Sequence, residues 1–161
     1  MGLLEADVIE DLLHSSSVSK GIERTMERLI HELDMDSMYI VRYDEEIRKP
    51  EVVFDWESGE FTRKMDFDSY IHMLDEEYHF DEEDMYVAKA TMVLPQGERN
   101  VYQELGYEAV IEYQMTNHGN IIGYIFIGWN HIKSVSDEEI KEVHVLLKLM
   151  NEVLIRQFEK D

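Results

Sequence analysis

The sequence predicts an α/β domain of the α+β type, and three parts of the chain carry this prediction. Between Leu105 and Trp129, two β-type segments flank the polar loop 116–120, which is typical of a hairpin. Just after it, residues 135–140 show the start signals of a helix. Segments 37–43 and 51–56 have strand composition and are joined by a polar loop, so they are expected to form an antiparallel pair.

The hairpin is the centre of the predicted fold. Along 109–116 apolar residues alternate with residues such as Glu112 and Gln114, so this strand is expected to have one buried and one polar face. The second strand is apolar in both registers, which predicts a central strand covered on both sides. Gly123 and Gly128 lie inside it, where a missing side chain lets a backbone, a bulky neighbour or a ligand come close.

Helical spacing of apolar residues predicts further helices, and one more short strand is expected at 61–65. The predicted helices are 3–13, 19–33, one capped by Asp66, a short one at 100–105 that stops at Gly106, and a last one that starts at Asp137. Ser136 and Glu139 have the spacing of a capping box at the start of the last helix. About 24 residues give this helix roughly 36 Å, more than a small sheet needs, so its far end is expected to project.

Length and composition favour one domain over 1–161 and restrict its partners. We divide it into an N-terminal helix at 1–16, the sheet and pocket at 17–135, and the last helix at 136–161 leading towards an output domain. The net charge of −21 argues against binding to nucleic acid or to an anionic membrane. The chain has no cysteine, which removes disulfides, thiolate nucleophiles and zinc-thiolate sites. No secretory signal is evident, so a cytoplasmic location is expected.

Three motifs resemble the GAF domain family. They are Leu-Gly-Tyr-Glu-Ala-Val at 105–110, Asn-His-Gly-Asn-Ile-Ile-Gly at 117–123 and Val-Ser-Asp-Glu-Glu-Ile at 135–140. The resemblance covers the chain from about Ser17 to Leu154. It implies a six-stranded antiparallel sheet, with the terminal helices on one face and a ligand pocket beneath helices and loops on the other.

The same resemblance implies a sensory or regulatory role in a bacterial signalling protein. Members of the family are often dimeric and joined to output domains such as diguanylate cyclases, phosphodiesterases, histidine kinases or transcriptional activators. Two departures from the family pattern argue against a cyclic-nucleotide ligand. Asn130-His131 lacks the lysine of cyclic-nucleotide-binding members, and Val135 stands where those members have phenylalanine. Members that attach a bilin or reduce methionine sulfoxide use cysteines, which this chain lacks. No cofactor is predicted, and the small-molecule ligand is not named by the sequence.

On this resemblance the pocket lies between the sheet and the 66–105 region. Amphipathic aromatic side chains suit such a pocket because they combine flat apolar area with a polar tip. Each is also explained by ordinary packing in the core or at a sheet edge. The residues predicted to line the pocket are Phe54, Trp56, Tyr70, Met73, Tyr86, Tyr102, Tyr113 and Trp129.

Catalysis and metal binding have weaker support than ligand binding. His72 and His79 lie near the acidic run 75–84, but their spacing matches no metal-ligand pattern, and a solvated acidic loop explains the run better. The chain has neither a glycine-rich phosphate loop nor a nucleophile elbow. We therefore predict no enzyme activity and no metal site.

The last helix carries an apolar stripe that predicts two roles. Its first half is expected to cover the sheet, and its second half to pair with a second copy and to relay a ligand signal to an output domain in the same polypeptide. The stripe consists of Ile140, Val143, Leu147, Met150, Leu154 and Phe158. The alternative is a dimerisation module with no ligand. An enclosed cavity lined by Trp56, Tyr113 and Trp129 would favour sensing, and a solidly packed interior would favour pairing alone.

Overall fold

The structure is a computed structural model that describes residues 18–59, 65–76 and 79–160. The predicted helix at 3–13, the proposed 1–16 unit and most of the predicted strand at 61–65 lie outside these residues. In chain order the elements are α1 (Val18–Leu33), β1 (Ser37–Asp44), β2 (Lys49–Glu57), α2 (Phe67–Glu76), β3 (Met85–Ala88), a 3₁₀ turn (Thr91–Val93), α3 (Gln96–Leu105), β4 (Ala109–Asn117), β5 (Asn120–Trp129) and α4 (Asp137–Lys160).

Within these residues the strands form one antiparallel sheet in the order β2-β1-β5-β4-β3. The predicted fold class is confirmed, with five strands among the described residues where the resemblance implied six, and β5 is the central strand. The predicted polar face of β4 is wrong at its middle, because Glu112 is fully buried and pairs with Phe126 of β5. A second layer covers each side of the sheet, so both faces of β4 are buried there.

The β4–β5 connection is a tighter turn than predicted. His118 and Gly119 both have positive φ, 52° and 81°, and the strands pair up to Asn117 and Asn120 on either side. Positive φ at both central positions is the geometry of a two-residue type I′ turn, whose twist matches that of the strands. Pairing therefore continues through residues that the sequence had assigned to a loop.

The two glycines of β5 accommodate close neighbours, as expected from their position. A Cβ at Gly123 would lie 2.1 Å from the carbonyl oxygen of Val41 in β1. At Gly128 it would lie 2.4 Å from the ring of Tyr107. A side chain at either position would therefore force a backbone or a buried ring to move.

Helices α1 and α4 cover one face of the sheet. The predicted capping box is present: the backbone N–H of Glu139 donates to Ser136 Oγ at 3.1 Å, and that of Ser136 donates to Glu139 Oε1 at 3.2 Å. Every stripe residue of α4 from Val143 to Phe158 is buried against the sheet or α1, and Ile140 is half-buried at its edge.

The far end of α4 does not project, so that prediction is wrong. Arg42 of β1 donates from Nη2 to the carbonyl oxygen of Phe158 at 3.0 Å, and its guanidinium lies 5.1 Å from the centre of the Phe158 ring. The sheet is long enough for α4 because β1 and β5 extend beneath its last turns. The side chains expected to pair with a second copy, Met150, Leu154 and Phe158, are buried within the chain.

Helices α2 and α3 belong to the opposite face. The predicted cap of α2 is confirmed, since Asp66 Oδ1 accepts the backbone N–H of Ser69 at 3.2 Å, and hydrogen bonds from Ser69 lower the pKa of the Asp66 carboxyl. Helix α3 starts four residues earlier than predicted, after Pro95, and ends as predicted at Gly106, whose φ is 85°.

None of the helices described combines the length and apolar character required to cross a membrane.

Candidate ligand-binding site

A buried carboxylate lies at the centre of the face covered by α2 and α3. Glu112 of β4 is fully buried, and it accepts hydrogen bonds from three side chains. These come from the Tyr70 hydroxyl, from the Tyr102 hydroxyl at 2.5 Å to Oε2, and from His79 Nε2 at 2.8 Å to Oε1. A buried charge is costly unless several donors satisfy it, and here each donor belongs to a different segment.

Local folding brings these donors together. Tyr70 is on the inner face of α2 with Phe67 and Ile71, and Tyr102 is on the inner face of α3 with Leu105. His79 precedes β3, in the connection from α2. Side chains from α2, from α3 and from the connection before β3 therefore all bond to the carboxylate of Glu112 in β4.

The two tyrosine hydroxyls act as neutral donors. Burial raises the pKa of Tyr70 and of Tyr102 well above the ordinary value, and the charge of Glu112 and the hydrogen bonds to it raise both pKa values further. Both hydroxyls therefore stay protonated at physiological pH. Each directs its proton to the carboxylate.

Aromatic rings enclose His79. Its imidazole stacks on Tyr86 with 3.8 Å between ring centres and an angle of 19°. Phe80 meets it edge-on at 5.0 Å, and Tyr70 meets it edge-on at 6.3 Å. The side chain is only 4% exposed. The imidazole is thus held between the ring face of Tyr86 and the carboxylate of Glu112, with Phe80 and Tyr70 edge-on beside it.

An open cavity of about 490 Å³ lies between α2 and α3 directly outside His79. Its walls are Asp68, Ser69, His72 and Met73 of α2, Gly97, Glu98, Val101 and Glu104 of α3, and Pro95 and His79. His79 lines the cavity and contacts Glu112, whereas Glu112 itself does not line it. The imidazole therefore separates the open space from the buried carboxylate.

Comparison with solved structures identifies the architecture. The chain matches the phycocyanobilin-bound GAF domain from a cyanobacterial phytochrome with a TM-score of 0.71 at 8% identity, over 96% of this chain and 93% of that one. For GAF3 from Slr1393 of Synechocystis, in its photoproduct state, the TM-score is 0.63 at 11% identity, over 89% and 95% of the two chains. The chain has a GAF fold.

A third match is a domain assigned to a two-component sensor histidine kinase protein from Sinorhizobium meliloti. It has a TM-score of 0.58 at 14% identity, over 88% of this chain and 93% of that one. No family model matches the sequence, and no curated protein matches it either. At identities this low the structural matches define the GAF fold and nothing more specific.

The GAF fold brings only half of the predicted pocket residues together. Met73 lines the cavity, and Tyr70, Tyr86 and Tyr102 lie in the wall behind it. The hydroxyl of Tyr86 donates to Glu98 at 2.6 Å; burial and this hydrogen bond raise its pKa. These residues connect the rim of the cavity to the aromatic enclosure of His79.

The other half lies on the opposite face of the sheet. Trp129 is buried against α1, where its Nε1 donates to the carbonyl oxygen of Leu33 at 3.0 Å. Tyr113 packs beside His144 of α4, with ring centres 6.1 Å apart. Phe54 and Trp56 line a separate open groove of about 510 Å³ beside α1.

The reason for this misplacement is strand parity. In β4 up to Met115 and in β5 from Tyr124 onward, odd-numbered residues such as Tyr113 and Trp129 face α1 and α4, and even-numbered residues such as Glu112 and Phe126 face the cavity side. The enclosed cavity expected between Trp56, Tyr113 and Trp129 is therefore replaced by packed core and an edge groove.

Sequence reasoning missed Glu112 and treated His79 only as a metal-ligand candidate. A signal for Glu112 was present, because the opposing strand β5 is apolar in both registers and so predicts a covered partner on both faces. His79 had no such signal, since a contact across 33 residues cannot be read from local spacing. The nearby Asp81 has a local role instead, accepting the backbone N–H groups of Glu83 and Met85 at 2.8 and 2.9 Å.

Proposed function

We propose that this domain is the sensory part of a bacterial cytoplasmic signal-transduction protein and that it binds a small molecule in the cavity between α2 and α3. The observation that carries the proposal is the open cavity with His79 and the buried Glu112 directly behind it. Ligand sites are commonly concave and contain a few converging polar groups, as this cavity does. The structural similarity to bilin-bound domains and to a domain from a sensor histidine kinase protein supports it.

The site is suited to recognition rather than catalysis. Glu112 already accepts three hydrogen bonds, and the tyrosines that bond to it are held neutral by their raised pKa values. A general base or a nucleophile needs a pKa near the working pH. The domain therefore reports on a ligand without transforming it.

Strand β4 offers a direct route from the cavity to α4. Glu112 faces the cavity side, and four residues later Thr116 is held by Asn151 of α4. Asn151 Oδ1 accepts the Thr116 N–H at 3.0 Å, and Asn151 Nδ2 donates to the Thr116 carbonyl at 3.1 Å. A ligand that shifts β4 would move α4, and an output domain joined to α4 would sense this movement if α4 has two discrete positions.

Pairing of two copies without a ligand is the second candidate function. It is favoured by the packed core found where a cavity between Trp56, Tyr113 and Trp129 was expected. It is also favoured by the aromatic side chains that fill much of the space between the sheet and α2, among them Phe67, Tyr70 and Phe126. Because the predicted stripe is buried, a homodimer would use the outward side of α4, where Val145 is 42% exposed.

Native mass spectrometry of the protein purified without added ligand separates these functions. Sensing predicts a retained small molecule or a mass shift on incubation with a small-molecule extract, and a Val101→Trp variant that fills the cavity should lose it. The matched control is Val145→Trp on the outer side of α4, which should retain the ligand. A stable dimer that never takes up a small molecule would contradict sensing and support pairing alone.

A further inference from the structure

We propose that the cavity takes a cationic organic ligand, such as an ammonium or amidinium compound, and that its charged group replaces the imidazole of His79 beside Glu112. This inference rests on the proposed ligand-binding function and adds the chemical class of the ligand. It depends on three features of the site: its charge, its aromatic enclosure and the position of His79.

The charge of the cavity disfavours anions. Its walls contain the carboxylates of Asp68, Glu98 and Glu104, and among the wall residues that the structure describes there is no lysine or arginine. Glu112 adds a fourth carboxylate behind the wall. Interactions between charges strengthen as water is excluded, so an anionic ligand would meet repulsion and a cation would meet attraction.

The enclosure has the composition of a cation-binding cage. Tyr86 stacks its ring face on the His79 ring at 3.8 Å, Phe80 and Tyr70 meet that ring edge-on with centres 5.0 and 6.3 Å away, and the carboxylate of Glu112 closes the inner side. Aromatic faces attract a cation through their quadrupoles, and a carboxylate adds a charge-assisted hydrogen bond. The imidazole of His79 occupies this cage in the structure.

Replacement of His79 is consistent with the space available. The cavity of about 490 Å³ falls within the size range of small-molecule sites and ends at the imidazole. A ligand that fills the cavity meets His79 before it meets Glu112. If the imidazole turns aside, the charged nitrogen of the ligand bonds to the carboxylate of Glu112 in its place and contacts the surrounding aromatic rings. Glu112 then still accepts three hydrogen bonds.

A charge series of near-isosteric probes tests this inference on the unmodified chain. Benzylamine, benzyl alcohol and benzoate would each be titrated by calorimetry at neutral pH. We expect saturable binding of benzylammonium, affinity at least about tenfold lower for benzyl alcohol, and no binding of benzoate, because a hydrogen bond to a buried charge commonly accounts for a factor of about ten or more.

Two variants test whether Glu112 is the carboxylate that binds the ligand and whether His79 competes with the ligand for it. Glu112→Gln should weaken benzylammonium binding about tenfold, and His79→Ala should strengthen it because the competing imidazole is gone. The matched control is Glu57→Gln, which removes a carboxylate bonded to Tyr39 at 2.6 Å and away from the cavity, and which should leave binding unchanged. If Glu112→Gln fails to fold, the charge series on the unmodified chain decides alone.

The outcomes distinguish the ligand class from ligand binding itself. Equal affinity for the three probes, or preference for benzoate, would overturn the cationic assignment while ligand binding in the cavity stood. Weaker binding by His79→Ala than by the unmodified chain would overturn replacement of the imidazole. Failure of every probe, together with no retained small molecule by native mass spectrometry, would overturn both the inference and the proposed function.

Discussion

The two faces of the sheet are built from the same five described strands but from different chemistry. The face under α1 and α4 is filled mainly by aliphatic and methionine side chains, with Trp129 as its largest buried member. The face under α2 and α3 is filled mainly by tyrosine and phenylalanine around the carboxylate of Glu112. One face is a dry core, and the other contains a buried charge beside an open cavity.

The buried polar groups also form different kinds of hydrogen bond on the two faces. On the face under α1 and α4, the buried Asn151 bonds to the backbone of β4 and so fixes α4 to the sheet, and the buried Thr25 hydroxyl donates to the carbonyl oxygen of Gly21 within α1. On the cavity side, the polar groups bond to one another across four segments, which are α2, the connection before β3, α3 and β4. A buried acid seldom adds net stability compared with an apolar side chain of similar size, which agrees with the binding role proposed for this cluster.

The largest expected effect is on the dry face. Trp129→Ala removes a fully buried indole and its hydrogen bond to Leu33, so the free energy of unfolding should fall by about 3–5 kcal/mol. The matched change Trp56→Ala, at a half-buried position of β2, should cost about 1 kcal/mol. Urea denaturation measures both. Similar losses for the two variants would contradict the assignment of Trp129 to the core.

The anchor between β4 and α4 should have the next largest effect. Asn151→Ala leaves the N–H and carbonyl of Thr116 without their side-chain partner, which should lower the free energy of unfolding by about 1–3 kcal/mol. Asn100→Ala on the exposed side of α3 is the control and should change it by less than about 0.5 kcal/mol. A loss no greater than that of the control would remove the proposed route from β4 to α4.

A smaller loss is expected on the cavity side. Tyr70→Phe removes one donor to Glu112, which keeps Tyr102 and His79, so the free energy of unfolding should fall by only about 1 kcal/mol. Chemical denaturation at neutral pH gives the value. A loss as large as that of Trp129→Ala would mean that this cluster, and not the dry face, dominates stability.

Some features of the fold could be predicted from the sequence, and others could not. Local signals predicted the hairpin, both helix caps and the C-terminal stop of α3, because each depends on neighbouring residues such as Ser136 with Glu139 or Gly106 alone. They did not assign which side of each strand would face α1 and α4. That choice depends on register across the whole sheet, so Trp129 and Tyr113 were placed on the wrong face.

The candidate site was less accessible to sequence reasoning than the fold. Glu112 belonged to an alternating pattern that normally marks a solvent-facing side, and only the cover supplied by α2 and α3 makes it buried. His79 lies in an acidic stretch of sequence, yet its side chain turns inward to Tyr86 and Glu112. Such contacts arise from tertiary packing, which local periodicity does not encode.

The smallest expected effect concerns alkaline pH. Burial raises the pKa of Tyr113, on the helix-covered face, to about 12. Since the unfolded chain releases this proton near pH 10, its contribution to stability is complete below pH 10 and is lost as the pH rises to about 12. Tyr113→Phe should therefore make the fall in stability between pH 10 and 12 shallower. An unchanged slope would show that Tyr113 ionises equally in both states.

Hydrogen exchange on the two faces tests the central claim most directly. Backbone amide exchange would be compared between the protein as purified and the protein after unfolding, removal of small molecules and refolding. Binding in the cavity predicts that removal speeds exchange in α2 and α3 and leaves the amides of α1 that pack on the dry face unchanged. Equal exchange in both samples, or a change confined to the groove beside Phe54 and Trp56, would contradict a ligand site between α2 and α3.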